Sequence, residues 1–374
     1  DMIPVLRGDI TGGWYQHPVS TPELLAQKFA ADRLLHTAEK WATVAGVLDK
    51  NYPYPAEDFR RAWDGLLYND EHSYGTSGYQ GRRVCETWMQ HRDWIEKAEN
   101  TAKTQLSSAL KQIANQIPAE EDCVAVFNPT AQERTEWVGG CGYVSTPPMG
   151  YRVAKYCKSP GPVVTDCTCP PILENQYYRL AFAQNGSICS IFDKELNREL
   201  LDLKNPYHAN EPVYTRDNHK SFAVPENAVF EYFEAEEKLS LKVSTEIDHL
   251  GARIEQTITL PSKEKRIELD NRLYHVADMV NKNRYYRYLY YAFPFAVENC
   301  RRFCHLNGTV AEYGVDVTGH GTDVYMAVNE WCCAENKDFG VALMMLDSQL
   351  VEFDHIHPDK TDFGNVGDGS GMFA

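Results

Sequence analysis

The hydrophobic period changes at Ile117-Pro118, and this change limits the possible folds more than any other feature of the chain. Before it, apolar residues recur at steps of three and four, which is the period of a helix that buries one face. After it, short runs of β-branched and aromatic residues alternate with Gly, Pro and Asn-Gly turns, which is typical of strands. The sequence therefore predicts a helical domain followed by a β domain.

Three helices are predicted between residues 20 and 118. The first begins at Ser20-Thr-Pro-Glu23, because a hydroxyl can cap free backbone N–H groups, proline fits the first turn and glutamate complements the helix dipole. It ends before Pro53, and a second helix follows from Pro55 to Tyr68. The third, which is the longest, starts near Gln80. Short connections between the helices predict an antiparallel three-helix bundle.

The second half of the chain, residues 119–374, is predicted to be a β-sandwich. Its strands are short and many alternate between apolar and polar residues, as expected when antiparallel sheets pack face to face. The candidate strands are Tyr178-Ala183, Ile188-Phe192, Ala228-Glu234, Leu239-Ile247, Ala252-Leu260, Arg266-Tyr274, Tyr286-Phe295, Asp323-Ala327 and Gly340-Leu346.

Composition and charge exclude several classes of partner. The chain has 374 residues, is 43% hydrophobic and carries a formal net charge of -16, so it can bury a sizeable core but repels phosphate backbones and anionic lipid. We therefore expect no nucleic acid partner. No apolar run approaches the roughly 20 residues that span a bilayer, and residues 1–7 lack the features of a signal peptide. No membrane partner is expected.

Cysteine usage bears on localisation. The 11 cysteines lack the repeated CxxC spacing of a zinc module, and we interpret them as reduced thiols of a cytoplasmic protein rather than a secreted or lysosomal one. Two glycosylation-type triplets, Asn185-Gly-Ser187 and Asn307-Gly-Thr309, are evidence against this. Asn-Gly is first of all a turn signal, however.

His72 is the most informative candidate site residue, because Asp70-Glu-His72 ends the second helix and runs into a glycine-containing loop. A catalytic zinc needs three or four ligands. His72 is therefore either a histidine that suits the helix dipole or one ligand of a site completed elsewhere. His91-Arg-Asp93 has a metal-like spacing, but positions two apart on a helix do not share a face.

The remaining motifs do not indicate a particular activity. The chain has no G-x-S-x-G, Walker loop, dinucleotide fingerprint or H-E-x-x-H motif, which removes most easily recognised enzyme classes. Several tyrosines could line a sugar site, but tyrosine is also a favoured strand residue, and core packing is the better interpretation. These tyrosines are Tyr285, Tyr286, Tyr288, Tyr290 and Tyr291.

The order of several segments resembles the family 38 glycoside hydrolases, the α-mannosidases, over nearly the whole chain. The segments are Gly8-Asp9 with Trp14, Asn69-Asp-Glu-His-Ser-Tyr-Gly75, Val126-Phe-Asn-Pro129, Glu174-Asn-Gln-Tyr-Tyr178, Gly186-Ser-Ile-Cys-Ser-Ile-Phe-Asp-Lys-Glu195, Asn197-Arg-Glu-Leu-Leu-Asp202, Asn329-Glu-Trp331 and Ala342–Phe353. The resemblance implies that residues 1–19 connect a barrel to the bundle, that 20–118 form the middle three-helix domain, and that 119–374 form a galactose mutarotase-like sandwich, truncated at its C-terminus.

The resemblance also implies a zinc site and a reaction. Such enzymes have a β/α barrel that supplies a His-x-Asp zinc pair, a nucleophilic aspartate that also binds zinc, and an acid/base carboxylate; a histidine matching His72 is the last ligand. Zinc grips the vicinal hydroxyls of the sugar while two carboxylates carry out a retaining double displacement. The barrel is expected to be missing here, so no catalytic residue is assigned. Ser73 and Trp14 are implied substrate contacts, although several relatives carry Asp at position 73.

The sequence is thus expected to be part of a zinc-dependent retaining α-mannosidase that hydrolyses α-mannosides or related oligosaccharides, and to be inactive alone. The alternative is a non-catalytic carbohydrate-binding or scaffold protein of the same architecture. A third interpretation is a structural domain of another sugar-active enzyme, since fold does not fix function. The sequence leaves open whether the protein is a monomer or a homo-oligomer.

Overall fold

The structure is a computed structural model, and the residues that it describes form two compact units. One unit holds the described residues from 22 to 158, and the other holds those from Gly161 onward. The described residues are 22–70, 82–118, 120–158, 161–168, 170–215, 222–235, 237–247, 252–275, 289–306, 308–316, 326–354, 356 and 370–374.

Three helices begin the first unit: α1 (Pro22–Leu48), α2 (Ala56–Asn69) and α3 (Arg82–Ala114). Their apolar stripes meet in one core, in which Leu35 and Ile95 are fully buried. Many of the buried positions on α1 and α3 are alanines, and small side chains at a contact allow two helices to pack closely. The buried alanines are Ala31, Ala38, Ala42, Ala45, Ala98, Ala102 and Ala109. The predicted three-helix domain is confirmed.

Polar contacts at the two ends of the bundle show that α2 runs antiparallel to α1, whereas α3 runs parallel to α1. At one end, Lys28 near the start of α1 pairs with Asp70 after α2, with 3.2 Å between Nζ and Oδ1. At the other end, Gln112 near the end of α3 donates to Asp49 after α1, at 2.6 Å. None of the helices that the structure describes is long and apolar enough to cross a membrane.

Two small antiparallel sheets follow the helices within the same unit. The first pairs β1 (Cys123–Phe127) with β4 (Tyr151–Lys155), and the second pairs β2 (Arg134–Val138) with β3 (Gly142–Thr146). The first sheet packs on the bundle through Phe127, whose ring meets Trp41 edge-on with 5.1 Å between centroids. The first compact unit therefore includes these two sheets and its described residues continue to 158.

Asn128 holds the loops of these two sheets together. Its buried amide group donates to three backbone carbonyls, those of Gln132, Thr146 and Pro147, at 2.7, 3.2 and 3.0 Å. Its carbonyl oxygen accepts from the backbone N–H and the hydroxyl of Thr130. The Val126-Phe-Asn-Pro129 segment thus has a structural reason for its asparagine, since one amide satisfies several buried backbone groups.

The second unit consists of antiparallel strands. Their bounds are β5 Val163–Cys167, β6 Leu173–Glu174, β7 Tyr178–Phe182, β8 Ile188–Asp193, β9 Arg198–Glu199, β10 Glu211–Thr215, β11 Phe222–Ala223, β12 Val229–Ala235, β13 Lys238–Ile247, β14 Ala252–Pro261, β15 Glu268–Tyr274, β16 Leu289–Phe293, β17 Arg301–Leu306, β18 Thr309–Glu312, β19 Met326–Ala327, β20 Trp331–Glu335, β21 Gly340–Met344, β22 Leu350–Phe353 and β23 Met372–Phe373.

These strands form four sheets around a shared core. The strand orders are β11-β10-β16-β23-β22-β19, β15-β14-β13-β12-β5, β18-β17-β20-β21 and β6-β7-β8-β9. Each sheet contributes to one hydrophobic cluster, for example through Phe353, Leu241, Cys332 and Leu180. In the long β13–β14 pair, burial alternates along each strand, as expected when one face meets the core. The predicted large antiparallel sandwich is confirmed.

Gly186 lies in the turn between β7 and β8, where no other residue type fits without strain. Its φ is 84°, and a Cβ atom placed on it would lie 2.1 Å from Cγ1 of the buried Val243 on β13. Both the left-handed backbone and the lack of space therefore favour glycine.

We expect Gly186→Ala to lower the free energy of unfolding of the second unit by about 3 kcal/mol or more, because backbone strain adds to overpacking. The matched control is Gly308→Ala. Gly308 also has a positive φ, 76°, but no atom lies within 4 Å of a Cβ added there. Gly308→Ala should therefore lower the free energy of unfolding by only about 1–2 kcal/mol. Urea unfolding followed by circular dichroism measures both variants, and equal losses would contradict the packing argument.

We expect Asn128→Asp to destabilise the first unit by about 2–4 kcal/mol, because a carboxylate cannot donate to the three carbonyls and is repelled by them. Asn115→Asp adds the same charge at an exposed position of the same unit and should change stability by less than about 0.5 kcal/mol. The shift in thermal midpoint between the two variants measures the role of the amide. Similar midpoints would show that the amide contacts contribute little.

Candidate functional site

The three residues that the sequence analysis assigned to a site, Trp14, His72 and Ser73, all lie outside the described residues. The structure therefore does not bring them together or separate them, and their roles stay predictions. What it does describe is the end of the helix that leads into the His72 segment.

The last three described residues before this segment are each held by a different side chain. Tyr68 contacts the Trp94 ring, with 5.7 Å between centroids. Buried Asn69 lies 2.9 Å through Oδ1 from Nδ1 of His91, and Asp70 pairs with Lys28. The position at which the chain leaves α2 is thus fixed by both α1 and α3.

His91 and Asp93 do not form a metal pair. The His91 ring is buried, contacts Asn69 and meets Trp94 edge-on, whereas Asp93 is exposed and pairs with Lys97 of the next turn at 2.5 Å. This confirms the argument that positions two apart on a helix do not share a face.

A zinc site is not formed by the residues that the structure describes. Within that part of the chain, no group of three or more His, Cys, Asp or Glu side chains could hold a metal ion. Structural and catalytic zinc both require at least three protein ligands. Zinc therefore remains a prediction that depends on His72 and on ligands beyond the described residues.

A serine, a histidine and a glutamate do come together in the second unit: Ser187 lies just before β8, His208 lies before β10, and Glu211 is the first residue of β10. Ser187 Oγ lies 3.1 Å from His208 Nδ1, and Glu211 Oε1 lies 3.8 Å from the same nitrogen. In a catalytic triad the serine and the carboxylate contact opposite nitrogens of the ring. Ser187 is also only 1% exposed, so this cluster is suited to structure rather than to nucleophilic attack.

Glu211 is the centre of this cluster. Its buried carboxylate accepts from the Asn185 side chain at 2.6 Å and from the His208 backbone N–H at 2.8 Å. These bonds tie the β7–β8 turn to the start of β10. Because the Asn185 amide nitrogen is engaged with a buried carboxylate, the Asn185-Gly-Ser187 triplet is explained as a turn, which agrees with the interpretation of Asn-Gly.

A second buried polar group joins β14, β15 and the residue before β10. Asn210, which is fully buried with a φ of 55°, exchanges amide hydrogen bonds with Asn271 at 2.7 and 3.1 Å. Gln256 donates to the Asn210 carbonyl at 2.7 Å. Sequence reasoning missed this network and the Glu211 cluster, because both depend on pairing between distant strands rather than on any local motif.

The tyrosine-rich segment has a structural role where it is described. Tyr291 packs against the main sandwich core, and burial raises the pKa of its hydroxyl. Tyr290 points to the other face of β16, where its hydroxyl donates to buried Glu352 at 2.9 Å. The interpretation as core packing holds for these two residues; Tyr285, Tyr286 and Tyr288 lie outside the described part.

The nine cysteines that the structure describes form no disulfide. Cys304 and Cys332 are fully buried on paired strands. Burial raises the pKa of the Cys304 thiol to about 12 and the pKa of the Cys332 thiol well above its usual value. Since the thiolate is the reactive form, these two cysteines are not suited to nucleophilic chemistry.

The second unit is similar to a domain of known proteins. The family model described as the glycosyl hydrolases family 38 C-terminal domain matches residues 173–349. Residues 173–349 are similar to the family 38 C-terminal domain. This match covers the strands from β6 to β21 and confirms the resemblance to family 38 that the sequence motifs indicated.

A solved structure extends the family 38 similarity in fold to the helical part. The chain is similar to a protein in glycosyl hydrolase family 38 from Enterococcus faecalis, with a TM-score of 0.64 and 14% sequence identity. The similarity covers 94% of this chain and 52% of that one, so the chain spans about half the length of that relative. At this identity it shows a shared fold. A search of curated proteins gave no match.

The buried thiols lead to a labelling prediction. With a thiol-specific reagent at pH 8, we expect exposed Cys157 to react at least about 100-fold faster than Cys304 and Cys332, whose raised pKa values leave little thiolate. Mass spectrometry of labelled peptides reads each site. As a control, labelling in strong denaturant should make the three rates similar, and fast labelling of Cys332 in the folded protein would contradict its burial.

Proposed function

We propose that this chain is the helical and β-sandwich portion of a family 38 glycoside hydrolase that cleaves α-mannosides. The observation that supports this most is the family 38 match over residues 173–349, together with a fold similarity to a family 38 protein that covers 94% of the chain. The whole enzyme's activity and substrate are proposals, because the chain spans about half the length of that relative.

The described carboxylates favour a supporting role for this portion. Retaining glycosidases need two carboxyl groups free to attack and to protonate the sugar. The three buried acidic side chains in the described part are instead engaged: Asp193 accepts two backbone N–H groups and pairs with Lys265, and Glu211 and Glu352 accept side-chain bonds. The nucleophile and the acid/base are therefore proposed to come from another part of the enzyme.

In this proposal His72 supplies one zinc ligand, and Ser73 and Trp14 contact the sugar. The firm anchoring of Tyr68, Asn69 and Asp70 supports such a role, because a ligand works best when the chain before it is held in place. Bound zinc would act as a Lewis acid toward the sugar hydroxyls. We also propose a cytoplasmic location, as the cysteine spacing of the sequence favours.

We expect the purified 374-residue chain to release no product from an aryl α-mannoside, and we expect the complete enzyme to do so. In the complete enzyme, His72→Ala should lower both kcat and zinc content by about two orders of magnitude, because a metal ligand is lost. His36→Ala, at an exposed histidine of α1, is the matched control and should retain activity and zinc.

Two results would contradict the proposal. One is hydrolysis by the 374-residue chain alone that is abolished by His72→Ala, which would place a complete active site here. The other is a complete protein that holds no zinc and hydrolyses no glycoside, which would favour the non-catalytic carbohydrate-binding or scaffold alternative.

A further inference from the structure

Two cysteines lie opposite each other at the centre of the four-stranded sheet β18-β17-β20-β21. Cys304 on β17 is the register partner of Cys332 on β20, and we name these two residues the cysteine pair. Directly opposite residues of an antiparallel ladder lie on the same face of the sheet. Both side chains are fully buried in the main core of the second unit. In the described strand pairs, no other two cysteines are register partners.

Backbone hydrogen bonds show which kind of register pair this is. On β17, the carbonyl of Arg302 accepts from Tyr313, which follows β18, and the carbonyl of His305 accepts from Asn329, which lies shortly before β20. The direction in which backbone groups point alternates from one residue to the next along a strand. The first residue of the cysteine pair therefore points its backbone groups toward β18, and not toward β20. The cysteine pair is thus a non-hydrogen-bonded pair, in which opposite side chains are closest.

This geometry suits a disulfide bond. In a non-hydrogen-bonded pair the two Cα atoms are about 4.5 Å apart, and disulfides join cysteines whose Cα atoms are about 4.4–6.8 Å apart. The separation set by the sheet therefore lies within the range that a disulfide spans. Closing the bond requires rotation of two side chains rather than movement of the two strands.

The neighbours of the cysteine pair are side chains that adapt to such a rotation. Cys332 Sγ lies 3.5 Å from Sδ of Met372 and 3.8 Å from Sδ of Met345. Methionine is unbranched and flexible, and it fills irregular space in a core. Burial raises the pKa of the Cys332 thiol, and Cys304 raises it further, so the two thiols already interact across the sheet. Rotation of Cys332 toward Cys304 thus exchanges one sulfur neighbour for another.

We propose that the cysteine pair is a disulfide site, which closes when the chain folds in the presence of a disulfide oxidant of the glutathione type. One cysteine thiolate attacks oxidised glutathione and forms a mixed disulfide, and one glutathione leaves. The second cysteine then attacks the protein sulfur of the mixed disulfide and releases the second glutathione. Two cysteine thiols are oxidised, one glutathione disulfide is reduced to two thiols, and the two protons go to the departing glutathione sulfurs.

Burial determines when this bond can form and break. In the folded protein the pKa of Cys304 is raised to about 12 and both thiols are shielded from solvent, so exchange takes place while β17 and β20 are still assembling. Once the sheet has closed, the bond is shielded from external thiols in the same way. It joins the two central strands of the sheet and closes a loop of about 30 residues, which stabilises the fold by restricting the unfolded chain.

The experiment compares two ways of refolding the 374-residue chain. The chain is unfolded in urea with a thiol reductant and is then refolded with oxidised and reduced glutathione together, or with reduced glutathione alone. Free thiols are blocked, and mass spectrometry after proteolysis identifies the linked peptides. We expect the bond between Cys304 and Cys332 to be the most abundant linkage. It should raise the urea midpoint of unfolding, measured by circular dichroism, by about 1 M over the reduced chain.

Two variants test whether strand register selects the pair. Cys304→Ala should abolish the linkage and the difference in midpoint between its own oxidised and reduced forms, a comparison in which any destabilisation by the substitution cancels. Cys333→Ala is the matched control and should keep both, because Cys333 is adjacent in sequence to Cys332 but lies opposite Phe303. If Cys304→Ala does not fold, linkage mapping in the wild type and in Cys333→Ala still decides the outcome.

Three results would overturn the proposal. The first is a wild-type chain refolded with oxidised glutathione that carries no bond between Cys304 and Cys332. The second is loss of the linkage in Cys333→Ala. The third is a bridged chain whose urea midpoint equals or falls below that of the reduced chain, which would show that the bond strains the sheet. None of these measurements involves hydrolysis, so they leave the proposed function untouched, and an inactive complete enzyme would leave this inference untouched.

Discussion

Burial of one shared apolar core by four antiparallel sheets is the interaction on which the second unit depends. Residues such as Leu241, Phe293 and Cys332 come from different sheets and meet in the same cluster. The apolar face of each sheet is therefore buried only because the other sheets cover it. Strand alternation then decides what the outer faces carry. His305 and Trp331 lie on the outer face of their sheet because their strand neighbours Cys304 and Cys332 point into the core.

Buried polar side chains fix the register that the apolar core leaves open. Glu211 joins the β7–β8 turn to β10, and the Asn210–Asn271 pair joins the residue before β10 to β15. In the first unit, Asn128 does the same for the two small sheets. A buried amide or carboxylate without hydrogen-bond partners lowers the stability of the fold. Each of these groups therefore favours the observed strand register over registers that would leave it without partners.

Sequence patterns predicted the parts of this fold that depend on local periodicity. The helix start at Ser20-Thr-Pro22 agrees with α1 from Pro22, and the alternating segment Leu239-Ile247 agrees with β13. The packing of β1–β4 on the bundle was not predicted, because it depends on contacts such as Trp41 with Phe127 between distant positions. The candidate site came from family resemblance, since one histidine at a helix end does not by itself indicate a metal.

The most direct test of the central claim is the coding sequence on the 5′ side of the codon for Asp1. If this chain is the helical and sandwich portion of a family 38 enzyme, that sequence should encode roughly 300 further residues, a typical size for a β/α barrel, with a His-x-Asp pair to accompany His72. A start codon at that point, with no barrel encoded, would contradict the claim and leave a sandwich protein without catalytic groups.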